Sequence, residues 1–433
     1  MRYRPLLLLC AVSLAGARAG AGRAGSEEAS VHEPRETVVV VAERAPVELG
    51  GTVIGQVAHG RWFGVRERQP GRVGIQFFSG KMMRIGWVDA EHVVRVEDSD
   101  VDLADQALEV AARLRPQLDV GAYRARIEAL ADRVAGAAAR GKSPLAKAKL
   151  IRRQLFGREG FRYDPTPRTI DSVLDDRRGN CLGLSVLYLC AAQKADMAFR
   201  MLAVPGHVLL GYDDGRQRFH VEPSMMGLIF RGGVGRRLGP KGGIYPRVLS
   251  HPQAIAVMLS DLGALLGAQE RYEEARDAFV RALEVDPQNA EAYFNWGLTL
   301  SVRERYGLAC AKFSKALHIY PRFAKAYGAW GSALARMGEL EWACEKFRSA
   351  VQLAPRSATA YYNWGATLLL LGKRREAEAR FARALALRPG LKPVVEQMRA
   401  ESPTRQPTIL VDPWHLEPDE EGRLRIEIET PPR

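Results

Sequence analysis

Cysteine is scarce in this sequence, with five residues in a chain of 433. The four that lie beyond the N-terminal segment are too few for the disulfide framework of a small secreted domain. Cys181 and Cys190 lie nine residues apart on a predicted helix, and Cys310 and Cys344 lie 34 apart at equivalent positions of a repeat. We predict that Cys190, Cys310 and Cys344 are buried small apolar side chains, and that Cys181 has another role.

Long hydrophobic runs are also missing. The apolar run that begins at Leu6–Leu9 is shorter than the roughly 20 residues of a membrane-spanning helix. Arg2 and Arg4 precede it, and Ala17-Arg18-Ala19 follows as a small-x-small cleavage pattern. These features predict a signal peptide over 1–19, a secreted or periplasmic (cell-envelope) protein, and no transmembrane span after cleavage. An uncleaved anchor is the alternative.

The sequence has no block of basic residues interleaved with aromatics. Its net charge of +13 comes from 63 basic and 50 acidic residues, and the excess is nearly all scattered arginine. We therefore predict no nucleic-acid binding, although a positive surface favours anionic partners in general. The length predicts several domains, and a hydrophobic content of 47% predicts that they are globular.

Short β segments with glycine turns fill residues 36–97, after a predicted disordered linker at 20–35. The motifs Gly60-Arg61-Trp62-Phe63-Gly64-Val65 and Gly86-Trp87-Val88 resemble bacterial SH3-like domains. The resemblance implies a small β-barrel that contacts peptide or cell wall. Trp62 and Trp87 are interpreted equally well as core residues or as a ligand platform.

A 34-residue repeat occupies residues 255–391. Each of four units carries glycine, alanine, phenylalanine, alanine and proline at fixed positions. The glycines are Gly263, Gly297, Gly331 and Gly365, the phenylalanines Phe279, Phe313, Phe347 and Phe381, and the prolines Pro287, Pro321, Pro355 and Pro389. This is the tetratricopeptide (TPR) pattern, which predicts a solenoid of paired helices that binds a protein or peptide partner. Residues 392–433 are predicted to form a terminal helix and a weakly ordered tail.

Residues 102–249 are predicted to form a helical lead-in and a core domain, and residues 148–249 contain the candidate chemistry. Helical periodicity extends over 102–157, and Cys181 begins a second predicted helix, where the macrodipole favours a thiolate. His207 opens a strand, and an Asp213-Asp214-Gly215 turn returns the chain to Glu222. With the turn centred near Asp214, His207 is expected opposite roughly residue 221 or 222. A thiol, an imidazole and a carboxylate are the parts of a nucleophilic site.

This segment resembles the transglutaminase-like, papain-related family that bacterial proteins couple to TPR repeats. The resemblance is carried by Phe161, Tyr163-Asp164, Arg178-Gly179-Asn180-Cys181-Leu182 and Val204-Pro205-Gly206-His207-Val208. It implies that Cys181 is the nucleophile, His207 the base and Glu222 the third member of the site. Glutamate departs from the aspartate that is common at the third position.

Two functions remain open from the sequence. One is a cysteine enzyme that transfers acyl groups from amide or peptide bonds to water or an amine. The other is a non-catalytic TPR scaffold that carries an inactive transglutaminase-like domain. His220 is a minor alternative for the base, and no cofactor or metal site is predicted. The expected fold class is multidomain α+β: an SH3-like β-barrel, a transglutaminase-like core and an α-helical TPR solenoid.

Overall fold

The computed structural model describes residues 37–58, 61–79, 82–96, 102–166, 168–204, 207–231 and 247–400. The predicted signal peptide, the linker at 20–35 and the tail beyond residue 400 lie outside the described residues. So does the Pro205-Gly206 break that the sequence places before His207.

The N-terminal part is a seven-stranded antiparallel sheet with strand order β3-β2-β6-β5-β4-β1-β7. Its strands are β1 (Thr37–Val40), β2 (Arg44–Leu49), β3 (Thr52–Ala58), β4 (Trp62–Gln69), β5 (Arg72–Ser79), β6 (Met82–Asp89) and β7 (Val93–Val96). Alternating side chains such as Val38, Val47 and Phe63 form a separate small core. Gly86 is required there, because a Cβ at this position would lie 2.4 Å from Val47 Cγ1.

The central part packs helices against a five-stranded antiparallel sheet of order β13-β12-β11-β10-β14. The helices are α1 (Leu103–Leu114), α2 (Val120–Ala138), α3 (Pro144–Arg152), which continues as a π-helical turn (Arg153–Arg158), α4 (Ile170–Asp176) and α5 (Cys181–Lys194). The strands are β8 (Arg162–Tyr163), β9 (Arg178–Gly179), β10 (Phe199–Val204), β11 (His207–Asp213), β12 (Arg218–Glu222), β13 (Leu228–Arg231) and β14 (Arg247–Val248). Strands β8 and β9 form a separate parallel pair.

Helical hairpins follow from residue 251 onwards. The helices are α6 (His251–Ala268), α7 (Tyr272–Val285), α8 (Ala290–Val302), α9 (Tyr306–Ile319), α10 (Ala324–Arg336), α11 (Leu340–Leu353), α12 (Ala358–Leu370), α13 (Arg374–Leu387) and α14 (Lys392–Ala400). The repeated glycine permits each hairpin to close. A Cβ at Gly331, for example, would lie 2.9 Å from the ring of Phe347, which is fully buried.

The N-terminal sheet packs on the first two repeats. The Phe78 and Trp296 rings are 5.6 Å apart, and Arg61 forms an ion pair with Glu284. The central part is joined to the same region, since Arg247 Nη1 donates to Asp286 Oδ1 at 2.8 Å. Within the described ranges, no helix has both the length and the hydropathy needed to cross a membrane.

The glycines of α10 provide a test of hairpin closure. Gly331→Ala should destabilise the array by about 1–3 kcal/mol, because the added methyl overpacks against Phe347. Gly328→Ala, in the same helix, meets open space and should stabilise it by about 0.4–1 kcal/mol. Thermal unfolding of the two variants measures the contrast, and equal effects would contradict the close-packing account.

Candidate active site

Cys181 is the first residue of α5. Asn180 caps the helix, and its side-chain Oδ1 accepts a hydrogen bond from the Gly183 N–H at 2.9 Å. The glycines on either side let α4 approach closely: a Cβ at Gly179 or at Gly183 would lie 2.9 Å from a methyl of Val173. This packing holds the start of α5 in place while Cys181 itself stays partly exposed.

His207 and Glu222 are in direct contact. Nε2 of His207 lies 2.8 Å from both carboxylate oxygens of Glu222. The carboxylate also accepts hydrogen bonds from Ser224, at 2.7 Å from its hydroxyl and 3.1 Å from its backbone N–H. Glu222 is 1% exposed, so the acid is held by these partners and is shielded from water.

The predicted register of this hairpin is wrong. Asp213 pairs with Arg218 and Leu210 pairs with Val221, so the turn is centred between residues 215 and 216. Asp214 causes the shift, because its Oδ1 accepts from the backbone N–H groups of both Arg216 and Gln217 and so stabilises a longer loop. His207 and Glu222 therefore meet diagonally on one face of the sheet, just past Leu210 and Val221, the last residues at which β11 pairs with β12.

Cys181 lies beside the same imidazole. Burial disfavours the charged ring of His207, but hydrogen bonding and charge attraction from Cys181 and Glu222 outweigh burial and raise its pKa to about 10. Because Nε2 is engaged by the carboxylate, Nδ1 is the ring nitrogen left for the sulfur. The three side chains thus form one series from carboxylate to imidazole to thiol, as a thiolate–imidazolium pair requires.

The other groups titrate in accordance with their surroundings. Burial favours the neutral acid at Glu222, yet hydrogen bonds from His207 and Ser224 hold its pKa below the usual value. Burial raises the pKa of Cys190 to about 12 and that of Cys344 to about 11, and it also raises the pKa of Cys310. These three thiols therefore stay protonated at neutral pH, and all four described cysteines are free of disulfides. The prediction that the three are buried is confirmed for Cys344 and is wrong for Cys190 and Cys310, which are partly exposed.

Tyr163 is a neighbour of the site to which the sequence reasoning gave no role. Strand β8 aligns it with Gly179, two residues before Cys181, and leaves its side chain 38% exposed. Burial and the nearby charges of Cys181 and Glu222 raise the pKa of its phenol. Ser224 was missed as well. The sequence signal for Ser224 is its position two residues after the candidate acid Glu222.

Among the described residues, no group of three or more His, Cys, Asp or Glu side chains is arranged to hold a metal ion. His220, the alternative base, is a buried residue of β12 opposite Gly211, whereas the charge contact with Cys181 belongs to His207.

Comparison with known families assigns two parts of the chain. Residues 121–234 match the family described as the transglutaminase-like superfamily, and residues 263–301 match a TPR repeat. The chain therefore contains a transglutaminase-like domain, which includes all three candidate residues, and a TPR repeat. Both predictions are confirmed at this level. No curated protein matches the chain.

Solved structures overlap with only part of the chain. A crystal structure of MamA is 23% identical and covers 32% of this chain and 81% of its own, with a TM-score of 0.30. A second structure, of MamA from Desulfovibrio magneticus RS-1 from residue 41 to the end, is also 23% identical. It covers 30% of this chain and 75% of its own, with a TM-score of 0.29. Overlaps this weak carry no argument about function.

The His207–Glu222 pair predicts a pH-dependent stability. The pKa of His207 is raised from 6.5 to about 10, so its contribution is complete below pH 6.5 and is lost as pH rises towards 10. The pKa of Glu222 is lowered from 4.5, so its contribution is lost as pH falls below that value. The destabilisation by Glu222→Gln should therefore be largest between pH 4.5 and 6.5 and should shrink towards pH 10.

Thermal unfolding midpoints of wild type and variant, measured from pH 4 to 10, check this profile. Asp213→Asn is the matched control, because Asp213 pairs with Arg218 at the exposed end of the same hairpin. Its effect should be small and flat above pH 5. A flat profile for Glu222→Gln would contradict the ion-pair account.

Proposed function

We propose that this protein is a cysteine enzyme that transfers acyl groups from amide or peptide bonds through Cys181, His207 and Glu222. The observation that carries the proposal is the contact of one imidazole with both a buried carboxylate and the thiol of Cys181. The transglutaminase-like match over residues 121–234 supports the same reaction class.

The chemistry follows from the geometry. His207 takes the proton of the Cys181 thiol, and the imidazolium is stabilised by Glu222. The thiolate attacks the carbonyl carbon of a carboxamide or peptide bond. The C–N bond then breaks, His207 gives the proton to the leaving amine, and a thioester remains on Cys181. Water or a second amine, deprotonated by His207, attacks the thioester and releases the thiol.

The start of α5 provides a site for the oxyanion. The first N–H groups of a helix have no intrahelical partner, and those of Cys181 and Leu182 lie at this end. The Gly183 N–H is already engaged by the Asn180 side chain, so it does not contribute. We assign the Cys181 amide as the principal donor to the tetrahedral intermediate.

The flanking parts are proposed to bring this site to its substrates. The repeats supply a protein-interaction surface, and the seven-stranded sheet is proposed to be an SH3-like domain that contacts peptide or cell wall. The N-terminal sequence supports export to the cell envelope or beyond, with removal of residues 1–19 as a signal peptide. The second candidate function is a TPR scaffold with an inactive core, which the length of the repeat array favours.

Selective alkylation tests the nucleophile. At pH 7, iodoacetamide should label Cys181 at least about tenfold faster than Cys190, because desolvation raises the pKa of the Cys190 thiol to about 12. Peptide mapping by mass spectrometry measures both rates. His207→Ala should slow labelling of Cys181 and leave Cys190 unchanged. Equally slow labelling of both cysteines in the wild type would favour the scaffold.

Trapping the acyl-enzyme tests the reaction. A library of glutamine-containing peptides, with and without a fluorescent primary amine, should yield a thioester adduct on Cys181 and either hydrolysed or amine-linked product. Cys181→Ala should abolish both, and His207→Ala should lower the rate by roughly 10²–10⁴-fold. Product formation that survives Cys181→Ala would exclude this site as its source.

A further inference from the structure

A carboxylate from the repeat array contacts the cap of the nucleophile helix. Asp261 lies in the middle of α6, a helix that is otherwise apolar at most positions. It lines a cavity of about 30 Å³ together with residues of α1, of α5 such as Leu182 and Gly183, and of the segment 168–170 that leads into α4. Asn180 Nδ2 donates a hydrogen bond to Asp261 Oδ2 at 3.0 Å.

This contact fixes both ends of the Asn180 amide. Its oxygen accepts from Gly183 N–H and its nitrogen donates to Asp261, so its orientation is determined by its partners. Serine, aspartate and asparagine are nearly equivalent as helix caps. An ionised aspartate at the cap could accept from the helix but could not donate to a second carboxylate, so the contact with Asp261 favours asparagine over aspartate at position 180.

Asp261 is unfavourable for folding on its own. Burial raises the pKa of its carboxyl to about 6, and the hydrogen bond from Asn180 only partly opposes this. Arg168, which also lines the cavity, is committed to Asp164 and Asp176. The lining residues from α1, Ala107 and Val110, carry no charge. Asp261 is half-buried, and the hydrogen bond from Asn180 is the contact that engages its carboxylate, which points to a role in holding that amide.

We propose that Asp261 is a positioning residue for Cys181, and that the first helix of the repeat array orients the nucleophile through Asn180. The proposal rests on the proposed function of Cys181. The cap residue is the immediate neighbour of Cys181, so rotation of the Asn180 side chain loosens the turn that holds the thiol and its oxyanion donor. The array is thereby part of the reactive site as well as a candidate interaction surface.

Three substitutions in the full chain test this. Asp261→Leu removes the acceptor, Asp261→Asn keeps a carbonyl oxygen for Asn180 Nδ2, and Ser260→Ala is the matched control. Ser260 is the buried neighbour of Asp261 in α6, and its hydroxyl contacts Asn295 of α8 rather than α5. Two quantities are measured: the iodoacetamide rate at Cys181, and amide hydrogen exchange at Gly183 and Leu184.

Asp261→Leu should lower the alkylation rate by about tenfold and speed exchange in the first turn of α5, with a melting temperature equal to or above that of wild type. In Asp261→Asn and in Ser260→Ala, the alkylation rate at Cys181 should stay within about twofold of the wild-type rate. If Asp261→Leu does not fold, the comparison of Asp261→Asn with wild type decides: a tenfold loss in this variant would overturn the proposal.

The two readouts separate this inference from the proposed function. Unchanged exchange and unchanged alkylation in folded Asp261→Leu would overturn the positioning role, whatever the chemistry of Cys181. Faster exchange in that variant, together with a wild-type Cys181 no more reactive than Cys190, would mean that the anchor exists but the proposed function fails.

Discussion

The structure depends on the burial of α5. This helix is apolar around its circumference and packs mainly on α2 and β11, and also on β10, α1, α3 and α4. A helix with no polar face cannot shift without opening the core around it. Its first residue, Cys181, is where this rigid element reaches partly exposed surface. The thiol therefore has a fixed backbone, and its surroundings determine its reactivity.

The sheet brings the other two groups to the same place. His207 begins β11 and Glu222 ends β12, and the two strands are antiparallel neighbours, so both residues lie at the same end of this central pair of strands. The carboxylate is satisfied by His207 and Ser224 although it is almost fully buried, and this is the condition under which a buried charge orders its neighbours. The electrostatic result is an imidazole whose pKa is raised to about 10.

The sequence predicted the elements of this site better than their register. Helix α5, strands β10 to β12 and the helical hairpins follow from periodicity and from turn residues, which are local signals. The hairpin register was misjudged because it depends on hydrogen bonds made by the Asp214 side chain. Tyr163 and Asp261 could not be assigned roles, since one is aligned by a two-residue parallel pair and the other contacts a residue 81 positions away. Contacts of this kind are not marked by any repeating pattern of residues in the sequence.

The hydrophobic cores do not follow the divisions that the repeat pattern suggests. One continuous cluster runs from Leu103 in α1 to Ala333 in α10, and a second begins at Ala335 and includes the last helices. The first repeats therefore belong to the array by pattern and to the transglutaminase-like core by packing. Insertion or loss of a unit near α6 would expose the side of α5, whereas changes beyond α10 would leave that core closed. The array can therefore change in length beyond α10 without opening this core, whereas its first helices are fixed by their packing on the transglutaminase-like domain.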